Sequence, residues 1–158
     1  LDIYLEQPCA DYAACLALRH RLVHPLKLDE SLADVAAVRR ALRDDAMDAA
    51  ALKVSRYGGL TRSRLVRDLC VEADVPLTIE DAWGSGIATA AYAHLAASTP
   101  PECLLNTTDL HNYNTVQIAR GAPEVADGRM RVGDRPGLGV EPDFGILGQP
   151  VMRLDDPG

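Results

Sequence analysis

At 158 residues the chain has room for one domain with a sizeable core, and 47% hydrophobic with 25% charged residues is an ordinary globular composition. A formal net charge of −7 argues against nucleic acid and anionic membranes as partners, and no apolar run approaches the roughly 20 residues of a membrane helix. No signal peptide is visible, and Cys9, Cys15, Cys70 and Cys103 show no CxxC spacing, so they read as small core residues of a cytoplasmic protein.

In chain order, Asp2 to Glu6 reads as a strand closed by Pro8. Asp11 to Leu22 reads as a helix, with Asp11 at its N-cap and Tyr12, Cys15, Leu16 and Leu22 as its apolar stripe. Pro25 to Asp29 is the next strand. Ser31 begins a second helix, with Asp34 as the acidic partner of a capping box and a buried face of Leu32, Val35, Ala36, Val38 and Leu42. Ala50 to Val54 is a strand, and Gly58-Gly59 is a turn that opens a helix capped by Thr61. That helix runs to about Ala73 with Leu65, Val66, Leu69 and Cys70 inward. Pro76 to Ile79 is a strand, Ile87 to Ala97 an alanine-rich helix, and Glu102 to Leu105 a last parallel strand. After about Asn114 the style changes. Glu124-Val125 and Arg129 to Val132 read as a hairpin around Asp127-Gly128, followed by Gly- and Pro-rich chain.

Strand and helix in alternation imply an α/β fold with a parallel sheet and right-handed crossovers. The apolar runs end at nearly even intervals in charged residues, Glu6, Asp29 and Lys53, with further runs leading to Glu80-Asp81 and Asp109. That is the pattern of successive βα units whose strand ends form one rim, where a β/α barrel does its chemistry. A complete barrel takes about 250 residues and at least about 200. The chain is therefore expected to be the C-terminal part of a TIM-type barrel, about five parallel strands with helices over residues 1–113. Residues 114–158 are expected to form a loop and hairpin tail packing on the barrel or a capping region.

Side chains alternate along a strand, so an inward Glu6 shares its side with Tyr4 and Asp2, an inward Asp29 with Lys27 below it, and an inward Lys53 with Ala51 and Ser55. Two carboxylates from neighbouring strand ends outline a hard-cation site of the kind Mg²⁺ takes. A nearby lysine surrounded by cationic charge can act as a base. Spacing alone leaves a second reading open, in which these are capping acids and a rim salt bridge.

The strings Leu5-Glu6-Gln7-Pro8, Leu28-Asp29-Glu30-Ser31 and Leu52-Lys53-Val54 with Gly58-Gly59-Leu60-Thr61, then Pro136-Gly137-Leu138-Gly139-Val140-Glu141, resemble the enolase superfamily. Within it the chain resembles the mandelate racemase/muconate lactonizing group. The resemblance implies that Glu6 and Asp29 are the second and third Mg²⁺ ligands. It implies that Lys53 moves the proton α to a carboxylate, and that Glu30 is an acid beside that lysine. The metal then stabilises an enediolate. The first ligand and an opposing lysine pair would lie before Leu1. The seventh strand ends Thr78-Ile79-Glu80-Asp81 without histidine, so a lysine on each side of the substrate is implied, and an epimerase, dehydratase or cycloisomerase as the intact parent.

Ser55-Arg56-Tyr57-Gly58-Gly59, Glu80-Asp81-Ala82-Trp83-Gly84 and Thr108-Asp109-Leu110 look most like members acting on proline derivatives, the hydroxyproline-betaine epimerases and cis-3-hydroxyproline dehydratases. There Asp109 would pair with a substrate ammonium and Trp83 would offer it a cation–π face. The partners implied are a small carboxylate substrate and, for the intact parent, further copies of itself. Two other functions remain in view. One is a Schiff-base barrel enzyme of the aldolase kind with Lys53 as nucleophile. The other is a non-catalytic truncated barrel.

Overall fold

Five short apolar runs lie side by side in one sheet in chain order, β1 (Leu5–Glu6), β2 (Leu26–Leu28), β3 (Ala49–Lys53), β4 (Leu77–Glu80) and β5 (Leu104–Thr107). All four pairings are parallel. Parallel neighbours need a long crossover, and each connection here supplies a helix: α1 (Tyr12–Arg19), α2 (Val35–Arg43), α3 (Leu60–Glu72) and α4 (Gly86–Ala97). The computed structural model describes residues 1, 3–81 and 83–152; Asp2, where the first strand was expected to start, Ala82 and the 153–158 end of the tail lie outside the described residues.

The central strands β2 to β4 are buried on both faces, but by different chemistry. Leu26, Leu28, Ala50, Leu52, Leu77 and Ile79 form one core with Cys15, Val38, Val66, Cys70, Tyr92 and Leu95 from the helices. Lys27, Ala49, Ala51 and Thr78 are equally buried, yet they fall on the alternate positions and outside that cluster. Alternation therefore puts a leucine-rich layer against the helices and a polar, small-residue layer on the other face, which is the inside of the barrel. Register pairs Glu6 with Lys27, Ala51 with Thr78, and Lys53 with Glu80, so charged side chains from neighbouring strands end level with one another.

Several boundaries differ from expectation for local reasons. Asp11 caps α1, accepting the Ala14 N–H at 2.9 Å, but the helix stops at Arg19 with His20 as C-cap. Asp34 itself caps α2, accepting the Ala37 N–H at 2.7 Å, so Ser31 is not the cap. The Ser31 hydroxyl instead accepts from Gln7 Nε2 at 2.8 Å. Thr61 makes no cap either; Gly59, at φ +115°, is the N-cap of α3 without a side-chain bond. Ala36 and Leu65 face solvent, whereas Ala41, Ser63 and Arg67 are buried. The last strand begins at Leu104 because Pro101–Cys103 form a 3₁₀ turn ahead of it.

The tail contains two small antiparallel pairs, β6 (Ala119–Arg120) with β9 (Glu141–Pro142) and β7 (Glu124–Ala126) with β8 (Arg129–Arg131), and a short helix, α5 (Phe144–Leu147). Asp127 at φ +50° and Gly128 at φ +69° make the left-handed two-residue turn that suits a hairpin. The tail lies on α4. A Cβ on Gly86 would come within 2.5 Å of the Ala122 Cβ, so α4 needs a glycine there. His94 Nε2 meets the Leu138 carbonyl oxygen at 3.3 Å.

Candidate active site

At the C-terminal ends of β1 to β4 the barrel face carries Glu6, Asp29, Lys53 and Glu80. Oxygens of Glu6, Asp29 and Glu80 all lie within 4.8 Å of one another. Lys53 Nζ is 2.6 Å from Asp29 Oδ2 and 4.0 Å from Glu80 Oε1. Arg56, on the turn after β3, places Nη2 2.8 Å from Asp29 Oδ1 and donates from Nη1 to the Asp29 carbonyl at 2.8 Å. Asp29 is thus held on both carboxylate oxygens by cations.

Below this rim lies Lys27, only 3% exposed. Its Nζ is 3.0 Å from Glu6 Oε2, donates to Thr78 Oγ1 at 3.2 Å, and sits 5.0 Å from the centre of the Tyr4 ring.

Burial would raise the Asp29 carboxyl, but hydrogen bonds from Lys53 and Arg56, with their charges, hold it below its ordinary 3.8. Glu80 is raised above its ordinary 4.5. Burial is the main cause, Glu6 and Asp29 add to it, and Lys27 and Lys53 oppose it.

The loops that present these groups are tied together by Gln7, which follows β1 at φ +35°. Its Oε1 accepts from the backbone N–H of Asp29 at 3.0 Å and of Ser31 at 3.2 Å, and its Nε2 donates to the Ser31 hydroxyl and to the Cys9 carbonyl at 3.0 Å. The end of β2 is thereby locked to the end of β1. Asp81 turns to the next loop, accepting the Ser55 N–H at 2.8 Å and the Ser55 hydroxyl.

The remaining expected site residues are not among the groups that meet in this cluster. Glu30, expected beside Lys53, is exposed, and the acids that Lys53 meets are Asp29 and Glu80. Trp83 is 70% exposed and packs edge-on against Tyr113, ring centres 5.4 Å apart. Asp109 accepts from Asn112 Nδ2 at 2.9 Å in the loop after β5.

Lys27, Arg56, Gln7 and Glu80 were not assigned roles from sequence. Lys27 carries the clearest signal: it is one of two lysines in the chain, it interrupts an apolar strand, and it lies two residues before Asp29 on the same face.

Opposite ligands around Mg²⁺ stand about 4.2 Å apart, and three all-oxygen ligands within 4.8 Å of one another come close to that span. The all-oxygen donor set fits a small, hard divalent ion, and a modest inward movement of the three carboxylates would bring their oxygens to that span.

Residues 3–146 match the family described as enolase C-terminal domain-like. The chain belongs to that family. This enolase C-terminal domain-like chain is 49% identical over 153 residues to the cis-3-hydroxy-L-proline dehydratase of Roseibium aggregatum, across 97% of its own length and 42% of the dehydratase. Among solved structures it is similar to a mandelate racemase/muconate lactonizing enzyme from Roseovarius nubinhibens, with a TM-score of 0.93, 45% identity, and coverage of 100% of this chain and 43% of that one. An enolase superfamily member from the same organism, complexed with magnesium, gives a TM-score of 0.93 at 35% identity, covering 98% of this chain and 42% of that one. The chain thus spans 42% of the length of its curated relative. Its five parallel strands are part of the β/α barrel of that family.

Proposed function

We propose that this chain supplies metal ligands and a proton-transfer lysine to an enzyme that removes the proton α to a carboxylate, with a 3-hydroxylated proline or a similar cyclic amino acid as substrate and dehydration as the reaction. The observation that carries this reading is the convergence of Glu6, Asp29 and Glu80 within 4.8 Å, with Lys53 Nζ 2.6 Å from Asp29. The 49% identity to a cis-3-hydroxy-L-proline dehydratase supports the substrate class. Epimerisation uses the same first step and is the second outcome.

Glu6, Asp29 and Glu80 would hold Mg²⁺, which supplies positive charge opposite a substrate carboxylate whose own charge grows as the α-proton leaves. Lys53 Nζ, fixed between Asp29 and Glu80, would take the proton as the neutral amine, once a divalent ion held by those two carboxylates has replaced its ammonium as their counter-charge. In a 3-hydroxy acid the electron pair left at Cα expels the β-hydroxyl, and the abstracted proton departs with it as water. Arg56 keeps Asp29 in place, and Gln7 keeps the β1 and β2 ends in register. Three carboxylates here face three cations, Lys27, Lys53 and Arg56. Asp109 and Trp83 follow the ends of β5 and β4, where a barrel builds its substrate loops, and we assign them to the substrate ammonium.

A Schiff-base role for Lys53 has less support. That chemistry needs no metal, whereas the all-oxygen cluster of Glu6, Asp29 and Glu80 beside Lys53 and the 49% identity to a cis-3-hydroxy-L-proline dehydratase favour metal-assisted proton transfer. Four free cysteines support a cytoplasmic location, and no helix among the described residues is long and apolar enough to cross a membrane. In the full-length enzyme, Lys53→Ala should abolish exchange of the substrate α-proton with deuterated water. Undiminished exchange in that variant would refute the role.

A further inference from the structure

Lys27 is the first of two lysines in the chain, and the proton-transfer chemistry does not use it. It is 3% exposed, and its ammonium is fully occupied: a Glu6 oxygen at 3.0 Å, the Thr78 hydroxyl at 3.2 Å and the Tyr4 ring at 5.0 Å. A buried ammonium is costly unless paired, so Lys27 depends on Glu6. Glu6 does not depend on Lys27 to the same degree, because its side chain is 41% exposed and water can solvate it. The same Glu6 carboxylate lies within 4.8 Å of Asp29 and Glu80 in the candidate metal cluster.

We infer that Lys27 is the resident counter-cation of the metal site, and that its ammonium competes with a divalent ion for the Glu6 carboxylate. The inference rests on the metal reading proposed above. Lys27 sits too deep, against Thr78, to meet substrate, so its effect is on the ion. Binding a divalent ion at Glu6 draws the carboxylate away from Lys27 or makes the two cations share it. In both cases the fixed positive charge beneath the site weakens binding.

The test is calorimetric titration of the 158-residue chain with Mg²⁺, for the wild type and for Lys27→Met, which keeps the length and removes the charge. The variant should bind Mg²⁺ about ten-fold more tightly, the order expected on removing one unit charge several ångströms from a divalent ion in a water-accessible site. Tighter binding by the variant where the wild type binds undetectably supports the inference equally. Binding by a folded Lys27→Met that is no tighter than that of the wild type overturns the role of Lys27 alone. Absence of binding by both proteins overturns the metal reading, and this inference with it. Should Lys27→Met fail to fold, the wild type decides by itself. With two lysines, ¹³Cε-lysine labelling yields two side-chain signals, assigned with Lys53→Met. Mg²⁺ should shift the Lys27 signal as Glu6 is drawn away, and an unmoved Lys27 signal at calorimetric saturation overturns the inference.

Discussion

Asp29→Asn probes the centre of the cluster with almost no change of shape. In the wild type, Asp29 accepts from Lys53 at 2.6 Å and from Arg56 at 2.8 Å, and it is buried. Hydrogen bonds to charged groups contribute about 1.5–3 kcal/mol, and breaking a buried ion pair from one side costs about 3–5 kcal/mol. Two features lower that figure. The Lys53 and Arg56 side chains keep 22% and 18% of their exposure and can be partly resolvated, and Asn retains one acceptor for Arg56. The expected loss is about 2–3 kcal/mol at pH 7, read as a fall in the urea midpoint at constant m-value. The pH dependence has a definite sign. Asp29 is held below its ordinary 3.8, so its contribution is present above that pH and is lost as pH falls through the lower, folded value. The wild-type and Asp29→Asn stability curves should therefore converge below about pH 3.8. Adding Lys53→Met should reveal a coupling of about 1–2 kcal/mol with Asp29→Asn. A penalty under about 0.5 kcal/mol at pH 7, or one that persists undiminished in acid, would refute the account of the pair.

Three further outcomes follow from the packing. Gln7→Ala removes the side chain that joins the β1 and β2 ends and should cost about 1–2 kcal/mol in the same denaturation assay; a neutral result would mean that those loops hold without it. Leu52→Ala should cost about 2–5 kcal/mol, since the side chain is fully buried in the main core, whereas Leu65→Ala on the exposed face of α3 should stay within about 0.5 kcal/mol; similar costs for both would contradict the assigned faces. In thiol labelling of the native chain, half-buried Cys9 should react first, with Cys15, Cys70 and Cys103 protected. Burial pushes the Cys70 thiol up to about 12, so fast labelling of Cys70 would show that α3 opens in the native state.

Much of the barrel was legible because its signals are local. Apolar runs of strand length, helices between them and Asp11 as a cap depend on neighbours a few residues away. The errors are also local, and each arose where two residues competed for one task. Asp34 outcompeted Ser31 as the α2 cap, since Ser31 was already engaged by Gln7 from another strand end. Leu65 was placed inward by a helical stripe, but Ser63 and Arg67 take buried positions on α3, Arg67 by donating to the Ser98 carbonyl at 2.8 Å. Polar residues can fill such positions when tertiary partners satisfy them, and one-dimensional periodicity cannot see those partners.

Local pattern alone sets which residues reach the barrel rim. Alternation along a strand and the even spacing of βα units place Glu6, Asp29 and Lys53 there whatever the helices do. Who pairs with whom depends on the assembled sheet. Parallel register set Lys27 beside Glu6 and Glu80 beside Lys53, although each pair is separated by a whole βα unit. The turns that follow β2 and β3 leave Glu30 outside the cluster and bring Arg56 in. Charges act through space, so their partners are fixed by the sheet that aligns the strand ends, and the rim becomes a balanced cluster only once the strands are side by side.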